Sequence, residues 1–395
     1  MSKSFYMINK STCTRVKLYG LDVRNLFLIN GYIEKDINES DYIIINTCSF
    51  LKTKEEYFMN YIKEITSNLK KNQKLIVIGC LPSIRKDDLL KINKNIITYG
   101  RDLDEIKENF KFSKNITSKA TTVCDKLPLK KEIIYKLNRI LFRSKHIEYR
   151  LKRDKVCYLQ ISSGCRGKCA YCSEKFTTKL KSRPINEIMD AINDGIERGY
   201  KLFGLNSDDA SAYGSDINSS LEELLENVVK IDKDISFSIP EFNPNGISNK
   251  VIECLKDKKF IYITVPIQSG SQDILNVMKR PYKIDDVIEK IKRIKKNNKR
   301  LKINTHVIVG FPGETIEDFN KTLNLIKTGL FDRVKVFMYN DRPNTLASTM
   351  TNKISNEEKL RRKNILLKEM KKQNIKHFSI TNLILNKEQI VWLSF

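Results

Sequence analysis

No apolar run in the 395-residue chain approaches the roughly 18–20 residues that a membrane helix needs, and Met1–Lys10 lacks a secretory-signal core. These absences argue against a membrane, secreted or repeat protein and for a cytoplasmic one. Histidine is scarce: there are only three, His146, His306 and His377. Acid is short as well, with 47 Asp and Glu against 72 Lys and Arg, a net charge of +25. That excess invites a nucleic-acid reading. The chain is also crowded with Lys, Asn and Ile, as an AT-rich genome would give, and its basic residues are scattered, as in 290–300 and 359–372. What remains is a globular composition, 41% hydrophobic and 30% charged, long enough for two or three domains with full cores.

The nine cysteines are distributed unevenly. Without secretory features they point to a reducing compartment, where clustered cysteines bind metal or do chemistry. Cys165, Cys169 and Cys172 form one tight group, whereas Cys13, Cys48 and Cys80 stand 35 and 32 residues apart. Cys124, Cys157 and Cys254 fit neither pattern and read as structural or incidental.

The first 110 or so residues alternate strand-length runs (Phe5–Ile8, Tyr42–Ile45, Leu75–Ile78, Ile96–Thr98) with helical segments (Leu18–Asn30, Thr53–Lys70, Ile84–Lys91, Asp102–Phe110). Such alternation predicts a doubly wound parallel sheet, flavodoxin-like, over residues 1–112. Cys48 and Cys80 lie just past their strands and Cys13 a little beyond the first, so all three meet at the carboxyl ends of the strands. Residues 113–150 read as a linker with a basic helix near Leu129–Phe142. A second series begins at Tyr158, with strands at Tyr158–Ile161, Leu202–Leu205, Ser236–Ile239, Tyr262–Pro266, Ile303–Val309 and Val334–Phe337. Helices are expected at Ile185–Arg198, Ser220–Val229, Ile284–Lys296 and Ile316–Thr328. Six strand–helix units predict an open partial barrel over residues 151–350. Residues 351–395 form a short helical and strand extension, its charged helix Ser355–Lys376 opened by a Ser355/Glu358 capping box.

The loop Gly164-Cys-Arg-Gly-Lys-Cys-Ala-Tyr-Cys172 directly follows the first strand of the second series. Three thiolates can hold three irons of a [4Fe–4S] cluster and leave the fourth open to another ligand. A structural zinc would want a fourth Cys or His nearby, and the three histidines offer none in sequence. This spacing in an α/β chain is the signature of the radical S-adenosylmethionine (SAM) superfamily.

From residue 1 to about 375 the chain resembles the radical SAM methylthiotransferases. The resemblance rests on Asn46-Thr-Cys-Ser-Phe50, Gly79-Cys-Leu81, Cys165–Cys172, Ser182-Arg-Pro184, Ala212-Tyr-Gly214, Pro266-Ile-Gln-Ser-Gly-Ser271, Val309-Gly-Phe-Pro-Gly-Glu-Thr315 and Arg342-Pro-Asn-Thr345, in the family's order. It implies two [4Fe–4S] clusters, one on Cys13, Cys48 and Cys80 and one on Cys165, Cys169 and Cys172. It further implies that SAM serves twice, as source of a 5′-deoxyadenosyl radical and as methyl donor, and that an external flavodoxin- or ferredoxin-type protein donates the electron. By the same resemblance Tyr171 faces the adenine, Asp208 and Asp209 the methionine end, and Gln268 and Ser269 the ribose. Gly310 and Gly313 would let the backbone approach the nucleoside, and Glu314 would belong to that loop's site or instead cap the helix near Ile316. Arg183 and Arg342 would contact cofactor or substrate, or brace loops.

The sequence departs from the family in two places. Val16 stands where the family has an Asn, three residues after Cys13, and the usual C-terminal TRAM-type β-barrel is absent or reduced to a remnant around Ile380–Leu393. The implied reaction replaces C–H by C–SCH3 on a macromolecule. The missing barrel favours a peptide or protein side chain, such as that of a ribosomally made precursor peptide, over a tRNA adenosine beside the anticodon. A radical enzyme that inserts no sulfur and a non-catalytic RNA-binding protein are the other readings.

Overall fold

A computed structural model describes residues 3–10, 13–116 and 156–377. The first alternating series builds a five-stranded sheet from β1 (Ser4–Ile8), β2 (Ile33–Glu34), β3 (Tyr42–Thr47), β4 (Lys74–Gly79) and β5 (Ile97–Tyr99). Its order is β2-β1-β3-β4-β5, every pair parallel. Successive strand residues point to opposite faces. Ile43, Ile45, Leu75 and Val77 therefore pack beneath Phe58, Ile62 and Leu89. Ile44, Ile76 and Ile78 pack on the other face, against Tyr19, Val23, Phe27 and Ile106. Both faces are covered, so the strand runs are continuously apolar rather than alternating. The two-residue edge strand β2 is too short to show in the pattern.

The second series forms β6 (Val156–Gln160), a short antiparallel ladder of β7 (Ser162–Ser163) with β8 (Lys181–Ser182), and then β9 (Leu202–Asn206), β10 (Ser236–Ile239), β11 (Phe260–Thr264), β12 (Lys302–Val309), β13 (Arg333–Met338) and β14 (Lys376–His377). The main sheet runs β14-β13-β12-β11-β10-β9-β6, parallel throughout. Among the described residues β6 and β14 do not pair with each other, so this is an open partial barrel. Its six expected strands lie within two residues of their sequence positions. One large core, from Leu159 and Phe203 through Phe237 and Val307 to Leu366, lies between the sheet and its helices. The chain is thus α/β throughout, a doubly wound N-terminal sheet followed by a partial barrel.

Three differences have physical causes. The helices Asn249–Cys254 and Gln272–Val277 span less than two turns and carry no periodic signature. The helix expected at Ile84 begins at Cys80, because a kink at Arg85 breaks its periodicity. Finally, only half of the last capping box forms. Ser355 Oγ accepts from Glu358 N at 3.2 Å, but the Glu358 carboxylate turns to Arg361 and Arg362. A complete box instead opens the helix Ile316–Lys327, between Thr315 and Asp318. The basic helix expected at Leu129–Phe142 and the remnant at Ile380–Leu393 lie outside the described residues. Among the described residues, no helix is long and apolar enough to cross a membrane.

The helix Asn356–Lys372 is tied to the barrel through Arg362, which pairs with the fully buried Glu314 at 2.7 Å. Glu314 also accepts the amide of Gly310 at 2.6 Å, fixing the turn after β12. Removing one partner of a buried ion pair strands the other charge and costs about 3–5 kcal/mol. Arg362→Met should accordingly lower the unfolding free energy by about that amount. Denaturant titration of the variant against the parent checks it.

Candidate active site between two cysteine trios

The order of the first sheet explains how cysteines far apart in sequence converge. β1, β3 and β4 are neighbours, and the winding switches between β1 and β3, where doubly wound sheets open a crevice at the carboxyl ends of their strands. Cys13 caps the helix Thr14–Ile29, Cys48 directly follows β3, and Cys80 starts the helix Cys80–Ile92. All three belong to one packed cluster with Val16 and Leu81. A hydrogen bond with Cys48 holds the Cys13 thiol well below its ordinary pKa and pushes Cys48 up, while burial raises Cys80 to about 12. Val16, in the family's Asn position, is buried, and its carbonyl accepts from Asn46 Nδ2 at 2.6 Å. The polar bracing of this corner thus comes from β3.

The second trio sits past β6. Its loop is pinned on two sides by Ala170, whose amide donates to Met278 O and whose carbonyl accepts from Ala347 N, both at 2.9 Å. Gly167 lies against the sulfurs, since a Cβ there would stand 3.1 Å from Cys165 Sγ and 3.7 Å from Cys169 Sγ. Its amide donates to Cys165 Sγ at 3.2 Å, and Arg280 donates to Cys169 Sγ at 3.3 Å. Burial raises Cys165, with Asp209 adding to the rise, and lifts Cys172 to about 12.

Cys165, Cys169 and Cys172 line a cavity of about 220 Å³ that is completed by Arg15, Phe50, Leu51 and Lys52 from the N-terminal sheet. Tyr171, Asp208, Asp209 and Gln268 also line it. The Gln268 backbone has φ +65°, and its Oε1 is buried without a hydrogen bond. Asp209 accepts from Ser211 N at 3.0 Å and from Asn243 Nδ2 at 3.2 Å. Asp208 is fully engaged. It accepts from Arg101 at 2.8 and 3.0 Å, from Arg15 at 2.9 Å and from Gly164 N at 2.6 Å. Burial alone would raise its carboxyl, but the two guanidinium groups hold it well below the carboxylate range.

Of the remaining expected residues, all but Arg342 lie away from the lining. Ser269 is fully buried, its Oγ accepting from Ser271 N at 3.1 Å. Gly310 and Gly313 have φ of +69° and +83°, and a Cβ on either would strike Lys359 or Asn352. Their close approach is therefore to the chain's own C-terminal segment. Glu314 braces Gly310 and leaves the cap to Thr315. Arg183 donates to Gln160 O at 3.0 Å, bracing a loop. Arg342 lines the cavity and reaches across to the N-terminal sheet, donating to Ser49 O and pairing with Glu55 at 2.7 Å.

Sequence motifs did not single out Arg15, Arg101, Glu241, Arg280 or His306, although all but Arg101 line the cavity. Each meets its surroundings through folding rather than through a local pattern. Three thiols in each trio are the donor set that a cluster held through three irons requires. Among the described residues, no group of three His, Cys, Asp or Glu side chains is arranged to hold one metal ion.

Residues 159–326 match the Radical SAM superfamily, and residues 22–99 match the uncharacterized protein family UPF0004. The ribosomal protein uS12 methylthiotransferase RimO of Dictyoglomus thermophilum is 31% identical over 347 residues, 85% of this chain and 75% of that protein. The chain belongs to the radical SAM methylthiotransferase family. It is an enzyme, a transferase, whose cofactors are SAM and [4Fe–4S] clusters. A threonylcarbamoyladenosine tRNA methylthiotransferase, MtaB of Thermotoga maritima, is 27% identical over 88% of this chain and 77% of its own length. The tRNA-2-methylthio-N(6)-dimethylallyladenosine synthase of Aquifex aeolicus is 30% identical over 87% and 78%. Among solved structures, the radical SAM methyltransferase TsrM of Kitasatospora setae has the same fold, with a TM-score of 0.65 at 12% identity over 88% of this chain and 77% of that one.

The turn into Cys80 supplies a test of the first corner. Gly79 has φ +101°, and a Cβ there would lie 2.3 Å from Thr47 O. Gly79→Ala should destabilise the protein by about 1–3 kcal/mol, the cost of such a backbone conformation for a residue with a side chain. Thermal unfolding of the metal-free protein measures it without interference from bound iron.

Proposed function

We propose that this chain replaces a C–H of a tRNA adenosine beside the anticodon by C–SCH3. The observation that carries the reading is the convergence of two cysteine trios, from two separate sheets, on the surroundings of one cavity. Cys165, Cys169 and Cys172 would hold the cluster that binds SAM, and Cys13, Cys48 and Cys80 the second cluster. When bound, these groups supply hydrogen abstraction and the methylthio sulfur. The chain's own residues bind, orient and exclude water. Tyr171, Asp209 and Gln268 face the SAM side, and the orphaned Gln268 Oε1 is free to accept a hydrogen bond from it. Asp208 positions both trios through Arg15 and Gly164, while Ser269, Gly310 and Gly313 shape the turns behind the cavity. Phe50, Phe242, Ile308 and Phe337 give it an apolar wall. The electron would come from a flavodoxin- or ferredoxin-type protein.

A nucleic-acid substrate is supported by the net charge of +25, by Lys52 and Lys175 in the cavity lining and by aromatic rings suited to a base. Two of the relatives named above act on tRNA and the third on a ribosomal protein. The precursor-peptide substrate has no counterpart among them.

Two measurements test this. The anaerobically reconstituted protein should bind about eight irons per chain, and about four after alanine replacement of either trio. Full occupancy in the Cys13/Cys48/Cys80 variant would remove the second cluster from the site. Incubated with methyl-labelled SAM, a reductant and total RNA and protein of the source cell, the enzyme should place label in tRNA, with the mass of a methylthio group on adenosine. Label confined to polypeptide would overturn the substrate.

A further inference from the structure

Most polar groups along the cavity wall already have partners. Arg15 is held by Glu174 and Asp208, Asp209 by Ser211 and Asn243, and Arg342 by Ser49 and Glu55. Glu241 and His306 are among the ionisable lining groups left over. Glu241 follows β10 by two residues, and His306 lies in β12. Neither the Glu241 carboxylate nor the His306 imidazole makes a hydrogen bond or ion pair with any described residue. Burial raises the Glu241 carboxyl to about 7 and lowers His306 to about 3, so the imidazole is neutral. Withdrawing such groups even partly from water without partners opposes folding, so stability does not account for them.

Their surroundings are aromatic. The His306 ring meets Phe337 edge-on at 5.5 Å, and Phe337 meets Phe50 of the other sheet at 5.7 Å. Lys335, in register with His306 and so on the same face of the sheet, places its ammonium 4.8 Å from the Phe337 ring and 5.6 Å from that of Phe50. Glu241 and Lys335 both feel the charge of Cys13, which puts this polar patch toward the first trio. The cavity therefore has an apolar face from two sheets, with an acceptor and a neutral donor–acceptor beside it. A nucleobase has that same pairing of a π face with a hydrogen-bonding edge.

We infer that Glu241 and His306 are specificity-determining residues that read the edge of the substrate base, laid against Phe50 and Phe337, with Glu241 accepting from its exocyclic N–H. The inference rests on the tRNA adenosine reading. A site that hydrogen-bonds a donor discriminates strongly against an analogue lacking it, because the acceptor is left unpaired.

The test uses the full, cluster-loaded chain and two anticodon stem-loop RNAs, one with adenosine beside the anticodon and one with purine riboside there. By fluorescence anisotropy the parent should prefer adenosine about tenfold or more. Glu241→Leu should abolish the preference, and Glu241→Gln, whose amide carbonyl still accepts, should keep it. Retention of the preference by a folded, iron-loaded Glu241→Leu would overturn the subsite and leave the tRNA reading standing. Equal loss in Glu241→Gln and Glu241→Leu would also overturn it. A parent that binds neither stem-loop would overturn the tRNA reading and the subsite with it.

Discussion

The carboxylate of Asp208 is the point on which the two halves of this enzyme depend. It sits just past β9, at the carboxyl end of the barrel, and takes four hydrogen bonds, from two guanidinium groups of the other sheet and from the amide that precedes Cys165. Arg15 lies two residues from Cys13, so a single buried side chain fixes the neighbourhoods of both trios. Arg15 also reaches Glu174, two residues past Cys172, at 3.2 Å. A bidentate carboxylate–guanidinium pair has a defined plane and separation, which a merely apolar contact lacks. Buried charges of this kind add little net stability compared with well-packed apolar groups. What they contribute is geometry, and a reaction between two separately held groups demands geometry above all.

A second clamp works in the reverse direction. Arg342 comes from the barrel and engages Ser49 O and Glu55, directly after Cys48. The Asp208 network and the Arg342 clamp lie on different strands of both sheets, so together they oppose rotation as well as separation. Phe50 against Phe337 and Arg101 N to Thr177 O extend the same seam. The cavity is a product of this seam, since neither sheet alone supplies all of its walls.

How much of this was legible follows from the range of each interaction. Parallel strands buried on both faces announce themselves as apolar runs, and both sheets were readable to within a few residues. The convergence of Cys13, Cys48 and Cys80 followed from topology alone, because adjacent parallel strands bring their carboxyl ends together. The short helices and the Arg85 kink left no periodic trace. Polar partners across the seam were invisible for a different reason. Arg101 and Asp208 are 107 residues apart, and Arg342 and Ser49 are 293, so no local pattern links them. Asp208 illustrates the consequence: its sequence position suggested a cofactor contact, whereas its oxygens are spent on holding the site together.

The same logic separates the residues that build the cavity from those that face into it. A polar side chain whose hydrogen-bonding capacity is filled by the protein can orient its neighbours but has little left for a ligand. Asp208 and Arg362 belong to that group, each buried and multiply bonded. Gln268, Glu241 and His306 belong to the other, with side-chain capacity unspent at the cavity surface. Gln268 also carries a left-handed backbone, φ +65°, sustained by amide and carbonyl bonds to β12. Strain of that kind persists only where surrounding contacts over-determine it. The fold thus spends one set of polar groups on rigidity so that a second set can wait unpartnered, and that division makes the cavity a binding site rather than a packing defect.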